Sequence, residues 1–195
     1  MHRRLAWRGL QGIAAVLALL LAQTAGACAP RPELPSAADL HESQVLYLPT
    51  PHRVVEAMLR LARLRPGDVL YDLGSGDGRI PVAAAAIYGI RAVGIELDAR
   101  LVEEARCRAR AAGVAHLVEF RQADLFQSEL REASVVTLFL FPEMNRRLAP
   151  KLRGELRPGS RVVSHRFDMG DWPPERSIEA EGRPLFLWTI PPPGR

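Results

Sequence analysis

Asp72-Leu73-Gly74-Ser75-Gly76-Asp77-Gly78 is the stretch that decides the fold. It follows Val69 to Leu73, a short apolar run without the alternation of a half-exposed strand, which predicts a strand buried on both faces. Glycine tolerates left-handed backbone and close approach, so the segment reads as a sharp turn that brings backbone against a ligand. Beyond it, Arg79 to Tyr88 is alanine-rich and predicts a helix. The start of that helix offers unpaired N–H groups and a partial positive charge to an anion such as a carboxylate.

Working outward, strands and helices alternate. Thr50-Pro51 predicts a helix start, with threonine as cap and proline where its missing N–H is harmless, and Val54, Met58, Leu61 and Ala62 carry the helix over 51–63. Further strands are predicted at Ala92 to Ile95, Leu117 to Arg121, Ser134 to Leu140 and Arg161 to Ser164. Helices are expected at Ala99 to Ala112 and at Pro142 to Leu156, the latter kinked by Pro150, and Arg183 to Ile190 closes the pattern as an edge strand. The expected fold class is α/β, a doubly wound, mostly parallel sheet with helices on both faces. Such sheets bind ligands at the carboxyl ends of their strands. Two carboxylates belong there: Glu96, 18 residues past Gly78, where it can accept the hydroxyls of a ribose, and Asp124, where it can accept from an exocyclic amine. Each has a plainer role available, Glu96 as a helix cap and Asp124 as a solvated acid.

The constellation resembles the class I S-adenosylmethionine-dependent methyltransferases over roughly Tyr47 to Trp172. It is carried by Asp72-Leu-Gly-Ser-Gly-Asp-Gly78, Gly94-Ile-Glu-Leu-Asp98 and Gln122-Ala-Asp-Leu125. The resemblance implies S-adenosyl-L-methionine as cofactor. Asp72, Gly74, Gly76, Asp77 and Gly78 would bind it, the Gly74 to Gly78 loop holding the methionine part, with Glu96 on the ribose, Asp124 at the adenine amine, and Leu97 and Leu125 flanking the adenine ring. A dehydrogenase would space its glycines G-x-G-x-x-G, whereas position 79 is arginine. A narrower likeness lies in Tyr47-Leu-Pro-Thr-Pro51, Asp72 to Ile80 and Phe139-Leu-Phe-Pro-Glu-Met144. These segments look like the small protein-lysine methyltransferases of the ATP synthase c subunit and adenine nucleotide translocase type and their bacterial relatives. The resemblance thus implies methyl transfer, with a protein lysine amine as one acceptor; a non-catalytic exported binding module that keeps the fold is the alternative.

Around the acceptor the candidates are Glu143 and Asn145, after the fourth strand, and His165 and Asp168, beyond the fifth. A lysine must shed a proton from a group whose free pKa is about 10.4, and a nearby carboxylate or water path can take it. Glu143 also suits a helix N-terminus and His165 a packed histidine. Tyr47 fits either a lid over the cofactor or core packing, and Asp171 to Pro174 either a substrate rim or a surface turn. Phe141-Pro142-Glu143 stands where many methylases of nucleic-acid bases carry Asn/Asp-Pro-Pro-Tyr, so no nucleic acid partner is expected.

Composition is that of a globular domain, 48% hydrophobic and 25% charged. The net charge of +4 includes Arg3, Arg4 and Arg8; without the first 27 residues 23 basic side chains meet 22 acidic ones, too even a balance for a nucleic-acid footprint. Lys151 is the only lysine. Two cysteines and scattered histidines predict no metal site. A basic start, the apolar run Ile13 to Ala22 and Ala25-Gly26-Ala27 predict a signal peptide or anchor over 1–27, followed by a proline-rich linker over 28–45 and the methyltransferase-like domain over 46–195. Cleavage before Cys28 and lipidation of Cys28 both fit, the latter giving membrane association. Arginines ahead of the run favour a domain on the periplasmic or extracellular side, with a cytoplasm-facing anchor as the alternative. A monomer is expected.

Overall fold

The computed structural model describes residues 48–192. The expectations for the leader, the linker, Cys28 and Tyr47 lie outside the described residues.

The elements run α1 (His52–Leu61), β1 (Val69–Leu73), α2 (Arg79–Tyr88), β2 (Arg91–Glu96), α3 (Ala99–Ala111), β3 (Val118–Gln122), β4 (Val135–Leu138), α4 (Pro142–Glu155), β5 (Arg161–His165), β6 (Arg176–Ala180) and β7 (Arg183–Thr189). They form one seven-stranded sheet in the order β3-β2-β1-β4-β5-β7-β6. The first five strands pair in parallel, whereas β7 runs antiparallel to β5 and β6 antiparallel to β7. The order reverses between β1 and β4, which opens the crevice where such sheets bind ligands.

Alternate residues of the central strands feed opposite faces, as the period of two requires. Leu70, Val135, Val163 and Leu185 meet Val54, Val55, Met58 and Leu59 of α1. Tyr71, Val136, Val162 and Trp188 meet Leu148, Ala149 and Leu152 of α4. A third cluster joins Val82 and Ala85 of α2, Val102, Ala105 and Ala109 of α3, and Phe120 of β3. Burying each such aliphatic side chain contributes about 1.5–3 kcal/mol, enough to fix which face each helix covers.

Two local expectations are corrected. The edge of the sheet is β6, unforeseen, and β7 lies inside it: Arg176–Ala180 is mostly polar and exposed, so no apolar run marks it. Thr50 does not cap α1; the cap position is Pro51, with no side-chain bond, and Thr50 is buried with its hydroxyl beside a histidine. The α4 helix, as predicted, continues through Pro150 to Glu155, with Leu148, Ala149 and Leu152 packed on the sheet on either side of the proline.

At the amino ends of the strands Arg161 is the clasp. Its Nη1 donates to the carbonyls of Ala62 (2.9 Å) and Arg63 (2.7 Å), and Nη2 pairs with Asp68 at 2.5 Å. Asp68 also accepts from Ser134 Oγ (2.7 Å) and the Arg65 N–H (2.7 Å). Arg161→Met leaves this shielded carboxylate without its cation and is expected to lower unfolding free energy by about 3 kcal/mol in urea titration; a change within measurement error would show the clasp to be ornamental. Elsewhere on α4, Lys151 Nζ reaches Glu155 Oε1 at 2.6 Å, and the other oxygen of Glu155 accepts the Leu130 N–H at 3.0 Å. Among the described residues no helix is long and apolar enough to cross a membrane.

Candidate active site

The predicted glycine turn sits at the carboxyl end of β1. Gly74, Gly76 and Gly78 all have positive φ (76°, 53° and 74°). The N–H groups of Gly74 and Ser75 both bond the Ile95 carbonyl (2.9 and 3.0 Å), which lays the loop across the end of β2. A Cβ on Gly74 would stand 2.8 Å from Leu140 Cδ2, and one on Gly78 would stand 2.5 Å from Phe120 Cζ and 2.6 Å from Ala105 Cβ. The bare backbone is what lets the loop lie so close to the sheet.

Carboxylates surround this loop in different states. Asp72, 3% exposed, accepts Thr137 Oγ–H at 2.7 Å from the adjoining strand. Burial pushes its pKa up to about 7, the Glu96 and Asp77 charges add to the rise, and the Thr137 bond opposes it. Glu96 spans loop and helix: Oε2 accepts the Gly76 N–H (2.9 Å), while Oε1 accepts those of Leu97 (2.8 Å) and Asp98 (2.9 Å). Asp77 turns inward to Arg79 Nη2 (2.7 Å) and Arg108 Nη2 (2.6 Å), so it braces the loop against α2 and α3. Asp124 is exposed after β3, with Oδ1 accepting the Phe126 N–H at 2.8 Å. Leu97 is 70% exposed, whereas Leu125, 8% exposed, packs into the α4-side core instead of presenting an open face.

On the acceptor side the candidates fall into three groups. Asn145, fully buried, donates through Nδ2 to Ser164 Oγ (3.2 Å) and the carbonyls of Phe167 and Asp168 (both 3.1 Å), leaving its Oδ1 without a partner. Asp168 thus joins Asn145 through its backbone; its exposed carboxylate accepts the Gly170 N–H at 3.0 Å. His165, 1% exposed, lies against the Phe139 ring with centroids 4.0 Å apart and puts Nδ1 3.2 Å from Thr50 Oγ1. Burial, with Arg183 and Arg166 adding their charge, pulls its pKa down to about 4, so the ring is neutral at physiological pH. Glu143 joins neither group; it is exposed and paired with Arg146 at 2.5 Å. Trp172 anchors a turn, its carbonyl accepting from Trp188 Nε1 at 2.8 Å.

Thr137 and Ser75 carry no individual site prediction from the sequence, and Thr50 only that of a helix cap. Thr137 is the one polar residue in Val-Val-Thr-Leu and stands opposite Asp72 in the register. Ser75 Oγ is buried without a partner, 2.7 Å from where a Cβ on Gly94 would lie.

A glycine turn after the first strand, a buried acid at its root and a second acid ending the neighbouring strand define a class I S-adenosylmethionine-dependent methyltransferase. The chemistry of the cofactor's cationic groups suits Asp72, and that of its ribose suits Glu96. Residues 72–176 match the family model of the ANTKMT methyltransferase domain, and the chain belongs to that family. A protein-lysine N-methyltransferase of Saccharolobus islandicus (strain REY15A) is 41% identical over 151 residues, 75% of this chain and 94% of that protein. The adenine nucleotide translocase lysine N-methyltransferase of Mus musculus is 46% identical over 132 residues, 67% of this chain but only 57% of the mouse protein. Among solved structures, an RNA methyltransferase from Salinibacter ruber in complex with S-adenosyl-L-homocysteine is 56% identical, with a TM-score of 0.73 over 74% of this chain and 94% of that one.

Proposed function

We propose that the methyl acceptor is a lysine side-chain amine of a protein. The observation that carries this reading is Asn145 Oδ1, a buried acceptor without a partner beside the ends of β4 and β5. Its Nδ2 is committed to three oxygens, so the amide cannot turn over, and the vacant oxygen calls for a donor. A lysine amine brings N–H groups to it. The lysine and adenine nucleotide translocase enzymes among the relatives support the same acceptor class.

The bound cofactor supplies an activated methyl on a sulfonium. What remains for the protein is to place the amine in line and strip it of water. Asn145 Oδ1 would hold one N–H and thereby orient the nitrogen lone pair. An apolar surround at the strand ends, to which Phe139 and exposed Phe141 would contribute, would disfavour the ammonium form. The Salinibacter relative carries the word RNA in its name, but Phe141-Pro142-Glu143 and the near-neutral domain charge favour a protein acceptor here. Incubating the full chain with radiolabelled S-adenosylmethionine, lysine-containing peptides, their arginine counterparts and total RNA decides the matter. Label confined to lysine peptides is expected; label on RNA alone would overturn the assignment.

The first 27 residues support, by their charge and apolar run, export of the domain or its tethering on the periplasmic or extracellular side, with lipidation of Cys28 as one means of membrane attachment. Protease digestion of intact and lysed spheroplasts tests this placement: degradation only after lysis would refute it.

A further inference from the structure

A chain of contacts joins the cofactor loop to the acceptor side, and Thr50 is its middle link. At one end, Asp77 of the glycine turn holds Arg79 through Nε (2.9 Å) and Nη2 (2.7 Å). Arg79 Nη1 then donates to the Thr50 carbonyl at 2.7 Å. From the same residue Oγ1 lies 3.2 Å from His165 Nδ1, and the imidazole rests on Phe139 at the end of β4. All of Thr50, Asp77 and His165 are buried, so the links are shielded from water. The remaining ring nitrogen, His165 Nε2, is buried with no partner.

The tautomer follows from which orphan is tolerable. If the hydroxyl donated to Nδ1, the ring proton would sit on Nε2 as an unsatisfied buried N–H, which folded proteins scarcely allow. If Nδ1–H donates to the hydroxyl, Nε2 is left with a vacant lone pair, a lesser penalty and one that an incoming N–H removes. His165 shares its sheet face with Thr137 and Asp72, because β4 pairs with β5 so that Thr137 stands opposite Val163, two residues before His165.

We propose that Thr50 is a positioning residue: it fixes the His165 imidazole with Nε2 as an acceptor for an N–H of the methyl-accepting amine, and through Arg79 it ties that imidazole to the cofactor loop. This rests on the amine reading above. No covalent step is added; His165 holds a hydrogen bond and leaves the methyl transfer to the bound partners.

Thr50→Val keeps the carbonyl that Arg79 needs and deletes the hydroxyl, and Thr50→Ser restores it. With the full chain, Thr50→Val is expected to lower kcat on a lysine peptide by about tenfold or more while S-adenosylmethionine affinity stays within about twofold, and Thr50→Ser is expected to recover most of the rate. The ¹⁵N spectrum of the His165 ring is expected to show the Nδ1–H tautomer in the parent and a mixture in the valine variant. An unchanged kcat, a loss that serine does not rescue, or an Nε2–H tautomer in the parent would each overturn the proposal. If the parent methylates no amine, the acceptor reading falls, and the imidazole spectrum still decides whether Thr50 fixes the ring.

Discussion

Asp72→Asn is expected to yield a protein that is more stable at pH 8 and has lost its cofactor. The carboxyl has an ordinary pKa of 3.8 but about 7 in the folded chain, because burial and the neighbouring acids penalise its charge. A raised acid pKa means that the folded state holds the proton more tightly than the unfolded one. Its stabilising contribution is therefore complete below about pH 3.8 and is lost as pH climbs to about 7, a swing on the order of 4 kcal/mol. Asparagine keeps an oxygen for the Thr137 hydroxyl and removes the charge, at the cost of burying an extra N–H pair. A gain of about 2 kcal/mol at pH 8 that disappears near pH 4.5 is expected in urea titrations; a gain equal at both pH values would refute the electrostatic account. Cofactor affinity moves the other way. The cationic groups of S-adenosylmethionine are what a buried carboxylate can pair with, so calorimetry is expected to show a loss of about a hundredfold or more in the variant. In the parent, affinity is expected to rise with pH up to about 7, as the carboxylate becomes available in its charged form.

The second large effect is expected at Gly78. Alanine there must hold φ at +74°, against a preference of about 1–2 kcal/mol for ordinary backbone. Its Cβ would lie 2.5 Å from Phe120 Cζ and 2.6 Å from Ala105 Cβ, deep in the packing between β3 and α3, and overpacking adds about 1–3 kcal/mol. Gly78→Ala is thus expected to lose roughly 3 kcal/mol and to displace the turn enough to abolish cofactor binding. Gly67→Ala provides the contrast: φ is +87° but nothing lies within 4 Å of the new carbon, so only the backbone component of about 1 kcal/mol should appear. Equal losses at the two positions would show that contact with Phe120 is unimportant.

The cofactor half of the molecule was the more readable part of the sequence. The β1 strand, the glycine turn and α2 fall where predicted because buried apolar runs, glycine and alanine-rich helix act locally, and each signal is complete within a few residues. Glu96 and Asp72 were readable for the same reason, being placed by the ends of their own strands. Asp77 illustrates the limit: its position in the turn was plain, but that it faces Arg108 depends on how α3 packs, which no spacing reveals. The β6 strand escaped because an edge exposed on one side needs little hydrophobicity. Thr50 was misassigned because threonine before proline carries a strong local capping signal, and a partner 115 residues away overrides it. The inward turn of Leu125 is likewise a matter of tertiary packing, invisible beside a neighbour as exposed as Leu97.

The sole lysine, bound to Glu155 on α4, has a corollary for an enzyme whose target is proposed to be that very residue type. A catalyst at high concentration is ordinarily its own nearest decoy. Here the chain offers a single amine of that kind, already clamped by an anionic neighbour one helical turn away. Self-modification is correspondingly starved, and radioactivity found on a gel band other than the catalyst's own can be attributed to a genuine client.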